Sequence, residues 1–507
     1  MDQTYLSKEK SYAQILRASS IMGGVAGITV VLGMFRVKFA AVLIGTIGVG
    51  LNTSFIAIQT LMGTLAGLGL QASAVRDIAA AVSRDDQQEI SRKVLTLRRV
   101  CWLTGLIGMV MMFLLSPMIG QITFGHQNYV RDIAALGLII LFANLSGGQI
   151  AIIQGMRRIG DIARINVFAG ILATLAAIIF YATLGLRGIV PALVTASAIQ
   201  LVLAWYFSRQ VPVPKVPLSI KQTFSEANGM VRLGLAMMFS GLMANAVTYA
   251  TVVLITKQEG MVAVGLFSAA FALSGIFVNF VLGSMAADYY PRLAGVAINK
   301  NEMSRLVNEQ TEIAILLTLP GLLFILAFAP WLIEMMYSRE FLDAIYLLHW
   351  FILGCMGRVI SWPLSFVMLA LGKGRWYLTT ETSFNLIHIT MIAAGLRYFG
   401  LEGVSAAFFL MYLSYIAVVY LVCRYLIEFA WSVEGKRIGI VAFIALGAVF
   451  VICRYLPIVP ASLVGIGFTF TASIYCLRGL VKRVGAEHGL VHFLLKIPCV
   501  RLMIIKS

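Results

Sequence analysis

Long apolar runs, separated by short polar segments, fill this chain from one end to the other. Many runs reach about 20 residues, the length that an α-helix needs to cross the hydrocarbon core of a bilayer. Lipid offers no partner to an open backbone group, whereas a helix pairs these groups internally. The pattern predicts an all-α polytopic membrane protein with about fourteen transmembrane helices. The predicted spans are residues 14–37, 51–76, 95–118, 132–155, 163–184, 188–208, 231–256, 261–287, 311–331, 344–371, 376–396, 402–424, 437–454 and 459–478.

The composition supports a membrane protein rather than a soluble one. Hydrophobic residues make up 60% of the 507 residues and charged residues only 12%, whereas a typical soluble domain has about 25% charged residues. The six cysteines are scattered in or near apolar runs, so neither a disulfide framework nor a metal site is indicated. The first apolar run lacks a small-residue cleavage site, so we expect a retained helix and not a signal peptide.

The basic residues predict the orientation of the spans. With the N-terminus in the cytoplasm, thirty of the 39 Lys and Arg residues fall on the cytoplasmic side, eight on the outer side and one, Arg358, inside the membrane. An excess of Lys and Arg is typical of cytoplasmic loops. We therefore expect both termini in the cytoplasm. The net charge of +17 then reflects topology and attraction to anionic lipid, not a nucleic-acid surface.

The stretch that begins at Val49 can be aligned without gaps to the stretch that begins at Val264. One shift of the residue numbers places the VGL of residues 49–51 on the VGL of residues 264–266. We call this shift the repeat offset. Both stretches begin at the outer side, which predicts a parallel repeat with its axis along the membrane normal. The predicted organisation is two six-helix lobes around a central cavity. The parts are an N-terminal lobe over 1–208, a cytoplasmic linker over 209–230, a C-terminal lobe over 231–425, and two additional helices with a basic cytoplasmic tail over 426–507.

Arg358 is the sharpest polar feature inside a predicted span. It lies about fourteen residues, or roughly 20 Å, from either end of the run 344–371, too far for its side chain to reach the interface. A cation at the centre of a bilayer costs at least ~2.5 kcal/mol and so needs a carboxylate, water or an anionic ligand. We predict that Arg358 binds an anionic substrate. The alternative is a buried arginine that is paired for packing alone.

The following span carries Glu381, Asn385 and His388 at positions i, i+4 and i+7, which lie on one helical face. Glu381 and His388, together with Asp288, are candidates for coupling to an ion or a proton, since such groups form relays in transporters. The alternative for this face is a seam of hydrogen bonds between helices.

Further polar residues are expected to face the central cavity. We predict that Asn52, Gln59, Asn245 and Asn385 line it. Arg36 and Lys38 point about 200° apart around a helix, so at least one is expected at the outer mouth of the cavity, where it would offer a positive charge to an anion. The alternative for this pair is snorkelling to the interface.

Enzyme motifs are absent from the sequence. There is no GxxxxGK[ST] for a nucleotide phosphate, no GxSxG and no HExxH. The predicted outer loops are too short to build a catalytic domain for sugar transfer. We therefore expect a transporter and not an enzyme, with no cofactor and no metal.

Residues 38–51, KFAAVLIGTIGVGL, resemble the start of the Wzx-type oligosaccharide flippases, which share the MOP superfamily with the MATE exporters and the lipid II flippases. The segment GLGLQASAVRDIA, residues 67–79, is similar to the end of the second helix in that family. Residues 264–294 look like its helix-8 region, and residues 350–425 like its helices 10–12. Lys38 matches a basic residue that is common at this place in the family.

This resemblance implies a flippase of polysaccharide biosynthesis in the bacterial inner membrane. The implied substrate is an undecaprenyl-diphosphate-linked oligosaccharide, such as an O-antigen repeat unit of lipopolysaccharide. It would move to the periplasmic leaflet by alternating access, driven by the membrane potential or a proton gradient. The expected partners are this glycan lipid, membrane lipids and other membrane proteins of glycan assembly, with no nucleic acid. The alternatives are a MATE-like cation-coupled exporter, which needs acidic groups in its cavity, and a membrane-embedded glycan polymerase or ligase.

Overall fold

The computed structural model describes residues 3–212, 214 and 216–484, so the tail beyond residue 484 lies outside the described residues. Within these ranges the chain is almost wholly helical and contains no β-strand, which confirms the predicted all-α class. Two short 3-10 helices, Gly185–Gly188 and Arg339–Phe341, interrupt the series. The α-helices are α1 (Gln3–Gly67), α2 (Leu70–Ser83), α3 (Gln87–Phe124), α4 (Val130–Gly155), α5 (Ile159–Leu184), α6 (Ile189–Arg209), α7 (Ile220–Gly295), α8 (Lys300–Ala327), α9 (Ala329–Met336), α10 (Ala344–Ala370), α11 (Gly374–Ile427), α12 (Val433–Tyr455) and α13 (Ile458–Val484).

Three helices are too long for one membrane span, and each is broken at a glycine. Helices α1, α7 and α11 contain 65, 76 and 54 residues, which would be about 80 to 115 Å if they were straight, against a hydrocarbon core of about 30 Å. The breaks lie at Gly45, Gly260 and Gly400, with φ of 62°, 81° and 58°. Glycine adopts these positive φ values without the clash that a side chain would cause. The chain can therefore turn within one or two residues.

The number of membrane spans agrees with the prediction. Ten ranges of the described chain are long and apolar enough to cross a membrane. Four of them contain a break, at the three glycines and at the 3-10 helix Gly185–Gly188, so they hold fourteen helical segments. The sequence misses two finer interruptions. The predicted span 51–76 is broken at Leu68–Gly69, and the predicted span 311–331 crosses the short gap between α8 and α9.

The helix breaks follow the repeat that the sequence indicated. The repeat offset carries Gly45 onto Gly260 and Gly185 onto Gly400, and all four glycines have positive φ. Helix α4 spans 130–155 and α10 spans 344–370. When the repeat offset is added to the bounds of α4, they agree with the bounds of α10 to within one residue. A chance match of apolar runs would not align the turns. The internal repeat is therefore a property of the fold and not only of a few identical letters.

The chain forms two compact units, and the boundary falls within α7. The first unit holds the residues up to Gly265 together with Met336–Ser338, and the second holds the remainder. A buried apolar cluster joins α2, α3 and α4 in the first unit, and another joins α8, α10 and α11 in the second. Five cysteines lie in the described residues, and all are free thiols. The lobe limits proposed from the sequence stay a prediction.

In the first unit, the two copies of the repeated VGL segment meet through their glycines. An added Cβ at Gly50 would lie 2.1 Å from the carbonyl oxygen of Met261, and one at Gly265 would lie 2.2 Å from that of Thr46. The repeat offset carries Thr46 onto Met261, so the contact is reciprocal, with each glycine packed against the same relative carbonyl of the other copy. Small residues of this kind let two membrane helices approach backbone to backbone.

We expect that Gly50→Ala lowers the melting temperature of the purified protein in detergent, because the new methyl group forces apart two backbones in contact, at a cost of about 1–3 kcal/mol. The control is Gly33→Ala in the same helix, where an added Cβ meets no atom within 4 Å. That change should be neutral or slightly stabilising. Equal melting temperatures for the two variants would contradict the close contact.

Candidate functional site

A polar cavity of about 430 Å³ lies in the first unit, among helices that are otherwise apolar. Its walls come from α1, α2, α4 and α7. Of its fourteen lining residues, six carry neutral polar side chains, and none is charged. The polar lining residues are Gln59, Thr60, Thr64, Gln71, Asn144 and Asn245. Such a lining can exchange hydrogen bonds with a polar ligand, but its side chains carry no net charge.

The break between α1 and α2 forms one wall of this cavity. Leu68 and Gly69 have φ of 47° and 63°, so the helix ends at Gly67 and restarts at Leu70. The last carbonyls of one helix and the first N–H groups of the next have no partner within their helices. At membrane depth such backbone is tolerated only where protein or a water-filled cavity surrounds it. Because Gly67, Gly69 and Leu70 line the cavity, the break adds backbone polar groups to it.

A close contact between glycines holds α7 against this break. An added Cβ at Gly69 would lie 2.1 Å from the carbonyl oxygen of Gly234, and one at Gly234 would lie 2.3 Å from that of Leu68. Any larger residue would separate the two backbones. The cavity wall therefore depends on glycine at both positions.

Two of the residues predicted from the sequence, Gln59 and Asn245, come together in this cavity. The Asn245 side-chain amide donates a hydrogen bond to the Thr64 hydroxyl at 2.9 Å. The amide of Asn144 donates to the carbonyl of Ile140 at 3.0 Å. Asn144 and Thr64 were not among the residues predicted from the sequence. A signal was present, because Asn144 is an amide within a long apolar run and Thr64 lies one turn from another threonine on the Gln59 helix.

Asn52 is on the same helix as Gln59 but is not one of the residues that line the cavity. Its side-chain oxygen is buried and accepts no hydrogen bond from the described residues. Sharing a helical stripe with Gln59 is therefore not enough to place it in the cavity. Its predicted role as a lining residue stays a prediction.

The side chains of Lys38 and Arg36 contact different parts of the protein, as expected from their positions around α1. The Lys38 ammonium donates a hydrogen bond to the backbone carbonyl of Tyr337 at 2.6 Å, and the side chain is half-buried. Arg36 is also half-buried, and it lies within electrostatic reach of Tyr181 on α5. Neither residue is simply extended into solvent.

Arg358 occupies the middle of α10 in the second unit and is half-buried. Among the described residues no carboxylate lies within 4 Å of its guanidinium, and no hydrogen bond from the guanidinium is formed. Gly354 and Gly357 let α11 approach on this side of the helix. An added Cβ at Gly354 would lie 2.4 Å from the ring of Phe408, and one at Gly357 would lie 2.9 Å from Cβ of Tyr412. An aromatic wall therefore stands next to an uncompensated cation.

Glu381 lies near this cation but is bonded to a tyrosine. Its carboxylate accepts a hydrogen bond of 2.6 Å from the Tyr415 hydroxyl. Tyr412 lies in the electrostatic field of both Arg358 and Glu381, and the rings of Tyr412 and Tyr415 are 6.3 Å apart and perpendicular. The four side chains form one polar group between α10 and the two halves of α11, which we term the Arg358 cluster. It is a positive site with a carboxylate at its edge.

Asn385 and His388 continue the Glu381 face of α11, and both are half-buried. The Nε2 atom of His388 is buried and has no hydrogen-bond partner in the described residues, and its ring lies 6.0 Å from that of Phe408. The face predicted from the sequence is thus present. It packs beside the aromatic wall of the Arg358 cluster.

Asp288 lies elsewhere. It follows the apolar range that ends at Ala286, its side chain is 73% exposed, and it forms an ion pair with Arg292 at 3.1 Å one turn further along α7. An exposed pair of this type contributes little to stability. The structure does not bring Asp288 to the Arg358 cluster.

The repeat relates the two sites to each other by position in the chain. The repeat offset carries Ala143 of α4, which lines the neutral cavity of the first unit, onto Arg358 of α10. Equivalent helices therefore present a methyl group beside Asn144 in one unit and a guanidinium in the other. The two halves of the protein have the same helix plan but different polar chemistry.

Comparison with known proteins identifies relatives of this plan. The model of a family described as "Polysaccharide biosynthesis protein" matches residues 41–346, more than half of the chain. The lipid III flippase of Escherichia coli (strain K12) is 23% identical over 369 residues, which cover 69% of this chain and 84% of that protein. The lipid III flippase of Shigella flexneri matches equally well.

Solved structures share the fold. A multidrug resistance MATE transporter of the MOP superfamily, in an inward-facing conformation, has a TM-score of 0.66 at 16% identity and covers 79% of this chain and 94% of its own. The lipid II flippase MurJ has a TM-score of 0.66 at 12% identity and covers 92% of this chain and 99% of its own. The resemblance indicated by the sequence is thereby confirmed at the level of the fold.

The cavity of the first unit should admit water-soluble reagents. In a variant without its native cysteines, we expect that Gln59→Cys reacts several-fold faster with a small methanethiosulfonate than Ile58→Cys does, because Gln59 lines the cavity and Ile58 is only 1% exposed. The rates are measured by mass spectrometry of the intact protein. Equal rates at the two neighbouring positions would show that Gln59 does not face an open polar space.

Proposed function

Because the chain belongs to the polysaccharide biosynthesis protein family, we propose that it flips an undecaprenyl-diphosphate-linked oligosaccharide across a bacterial inner membrane. The cargo would be an O-antigen or related repeat unit, taken from the cytoplasmic to the periplasmic leaflet by alternating access. Other membrane proteins of glycan assembly would supply and receive it. The structural observation that carries the proposal is the uncompensated Arg358 in the middle of a membrane helix.

Such a cargo has three parts with different chemistry. The polyprenyl chain is hydrocarbon and can remain in lipid throughout. The diphosphate carries negative charge, which is strongly disfavoured in hydrocarbon. The sugars are uncharged or weakly charged but carry many hydroxyl groups, each of which loses hydrogen bonds to water. A flippase therefore needs a cation for the diphosphate and neutral hydrogen-bonding groups for the sugars.

The Arg358 cluster meets the first need. Arg358 is half-buried, and no carboxylate lies within 4 Å of its guanidinium among the described residues, so its donors are available to an anion. Arginine donates paired hydrogen bonds to phosphate oxygens, and these charge-assisted bonds are about twice as strong as neutral ones. Glu381 is held by Tyr415, which keeps that carboxylate from neutralising the arginine through a direct ion pair.

The cavity of the first unit meets the second need. Its side-chain amides, from Gln59, Asn144 and Asn245 among others, offer both donors and acceptors. Sugar hydroxyls and acetamido groups are donors and acceptors as well, so they can replace the hydrogen bonds that they lose from water. No charged side chain lines this cavity, and the lining is therefore compatible with a neutral glycan.

The proposed driving force requires no nucleotide. Moving about two negative charges outward across ~100 mV, negative inside, is favourable by about 4–5 kcal/mol. A proton gradient could add to this through Glu381 and His388, which lie on one face of α11. Arg36 and Lys38 are proposed to attract the anion at the outer side. Asp288, in its exposed pair with Arg292, is the weakest of the proposed coupling groups.

An exporter of organic cations is the main competing function, because the fold is shared with MATE transporters. Such a cargo requires acidic groups where it binds. The cavity of the first unit has none among its lining residues. In the Arg358 cluster the carboxylate of Glu381 is hydrogen-bonded to Tyr415, whereas the guanidinium of Arg358 has no hydrogen-bond partner among the described residues. These observations favour an anionic lipid cargo.

Arg358→Ala should strongly reduce export of surface glycan in a strain whose own copy is deleted, while the protein still inserts in the membrane. Loss of charge-assisted hydrogen bonds worth about 1.5–3 kcal/mol corresponds to a ten- to hundredfold slower transport. Arg358→Lys keeps the charge and should retain part of the activity. Arg397→Ala removes an exposed arginine from the same unit and serves as the control.

The lipid-linked glycan that accumulates in the Arg358→Ala strain should be inaccessible to reagents added from the periplasmic side. Surface glycan at the wild-type level would refute the role of Arg358. Accumulation of unpolymerised glycan on the periplasmic side in the deletion strain would instead identify a polymerase or ligase.

Glu381→Gln tests proton coupling. Removing the titratable group should abolish the dependence of transport on an imposed pH gradient in reconstituted vesicles while leaving transport driven by the membrane potential. The control is Glu428→Gln, an exposed residue paired with Lys300 at 2.8 Å. An unchanged response of the Glu381→Gln protein to the pH gradient would exclude this residue as the proton carrier.

A further inference from the structure

A second charged site, remote in sequence from the Arg358 cluster, lies among α8, α12 and α13 of the second unit. It is a cavity of about 310 Å³, and four of its nine lining residues are basic whereas one is acidic. We call it the basic pocket. Its lining residues are Leu316, Glu434, Arg437, Ile438, Tyr475, Arg478, Gly479, Lys482 and Arg483. Neither the family match, which ends at residue 346, nor the proposed transport mechanism gives this site a role.

An ion-pair network holds the rim of the basic pocket in place. Arg483 donates to Glu312 at 2.7 Å and to Glu434 at 2.7 Å, and thereby links α13 to α8 and α12. Glu312 also accepts a 2.6 Å hydrogen bond from the hydroxyl of Ser432, whose oxygen accepts from the Gly435 N–H at the start of α12. Lys482 also forms an ion pair with Glu434, with 3.6 Å between its Nζ atom and the carboxylate Oε1. Both carboxylates are therefore engaged by cations of the rim.

Arg437 remains as an unneutralised cation of this pocket. It forms no ion pair with any described carboxylate, and its side chain is exposed. Arg478 lines the pocket from α13. Together with the N-terminal end of α12, which carries a partial positive charge, these two arginines make a positive concave site.

The depth of the pocket matches a lipid head group. The predicted membrane span of α12 begins at residue 437 and that of α13 ends at residue 478, so both arginines stand at the membrane boundary. Along α12, Ile440 and Ile444 follow Arg437 at i+3 and i+7 on the same face and are 59% and 65% exposed. A lipid bound here would place its phosphate at the arginines and its acyl chains along this apolar face.

We propose that the basic pocket binds the phosphate of an anionic phospholipid head group from the leaflet at that boundary, which the distribution of Lys and Arg predicts to be the cytoplasmic one. Basic pockets between membrane helices on the cytoplasmic side are suited to such head groups. The bound lipid holds α12 and α13 against α8 by adding phosphate contacts to the ion-pair network. This inference is independent of the transported cargo.

The test uses the full-length protein, delipidated in detergent and titrated with short-chain phosphatidylglycerol, with bound lipid counted by native mass spectrometry. Arg437→Gln should weaken phosphatidylglycerol binding about fivefold, the effect expected for one cation at a membrane surface. Arg437→Gln/Arg478→Gln should weaken it further. The matched control is Lys373→Gln/Arg375→Gln, which removes two exposed cations from the N-terminal end of α11 on the same predicted side.

Phosphatidylcholine and inorganic phosphate are the comparison ligands. Binding of phosphatidylglycerol that is stronger than that of phosphatidylcholine and is lost only in the pocket variants supports the proposal. Equal loss in the control variant would mean that net charge alone attracts the lipid, which overturns it. Binding of inorganic phosphate with the same affinity as phosphatidylglycerol would also overturn it, since the site would then hold a free anion. None of these results depends on whether the protein flips a glycan.

Discussion

The structure depends on one constraint, which is that every backbone polar group within lipid must find a partner inside the protein. The chain satisfies it with helices almost throughout, and its three longest helices are broken where glycine permits a positive φ, at Gly45, Gly260 and Gly400. The reciprocal contact of Gly50 and Gly265 has a second cause in the same solvent, because helices that lack a hydrophobic driving force in lipid associate through close backbone packing. Glycines thus allow both the breaks in the long helices and a close contact between two helix backbones.

The places where the constraint is relaxed coincide with the polar sites. The interruption at Leu68–Gly69 leaves backbone groups without helical partners, and a cavity lined with amides lies beside it. Arg358 is the comparable case among side chains, since this cation stands in mid-membrane with no carboxylate within 4 Å of its guanidinium among the described residues. The two halves share a helix plan but use it for different chemistry, neutral in one and cationic in the other.

Much of the fold was predictable from the sequence, whereas the polar sites were predictable only in part. The apolar runs indicated fourteen spans, and the repeat offset, visible in a few letters, recurs in the helix breaks. Gln59 and Asn245 were predicted to line a central cavity between two lobes; they line a neutral cavity within one unit, and their place at a central cavity stays a prediction. Asn52, chosen on the same helical periodicity as Gln59, is not among the lining residues. Periodicity gives the direction of a side chain around its helix but not which neighbour it meets.

The sequence by itself determined the helical membrane class, the number of spans, the repeat and the depth of Arg358, because these follow from local hydrophobicity and from the rise of a helix. Only the tertiary structure decided which polar groups meet. In the structure Glu381 accepts a hydrogen bond from Tyr415, Lys38 donates one to the carbonyl of Tyr337, and Asp288 is exposed. These pairings join residues far apart in the chain or depend on how each helix end is packed. Their distances are set by the packing of whole helices, which no single stretch of sequence contains.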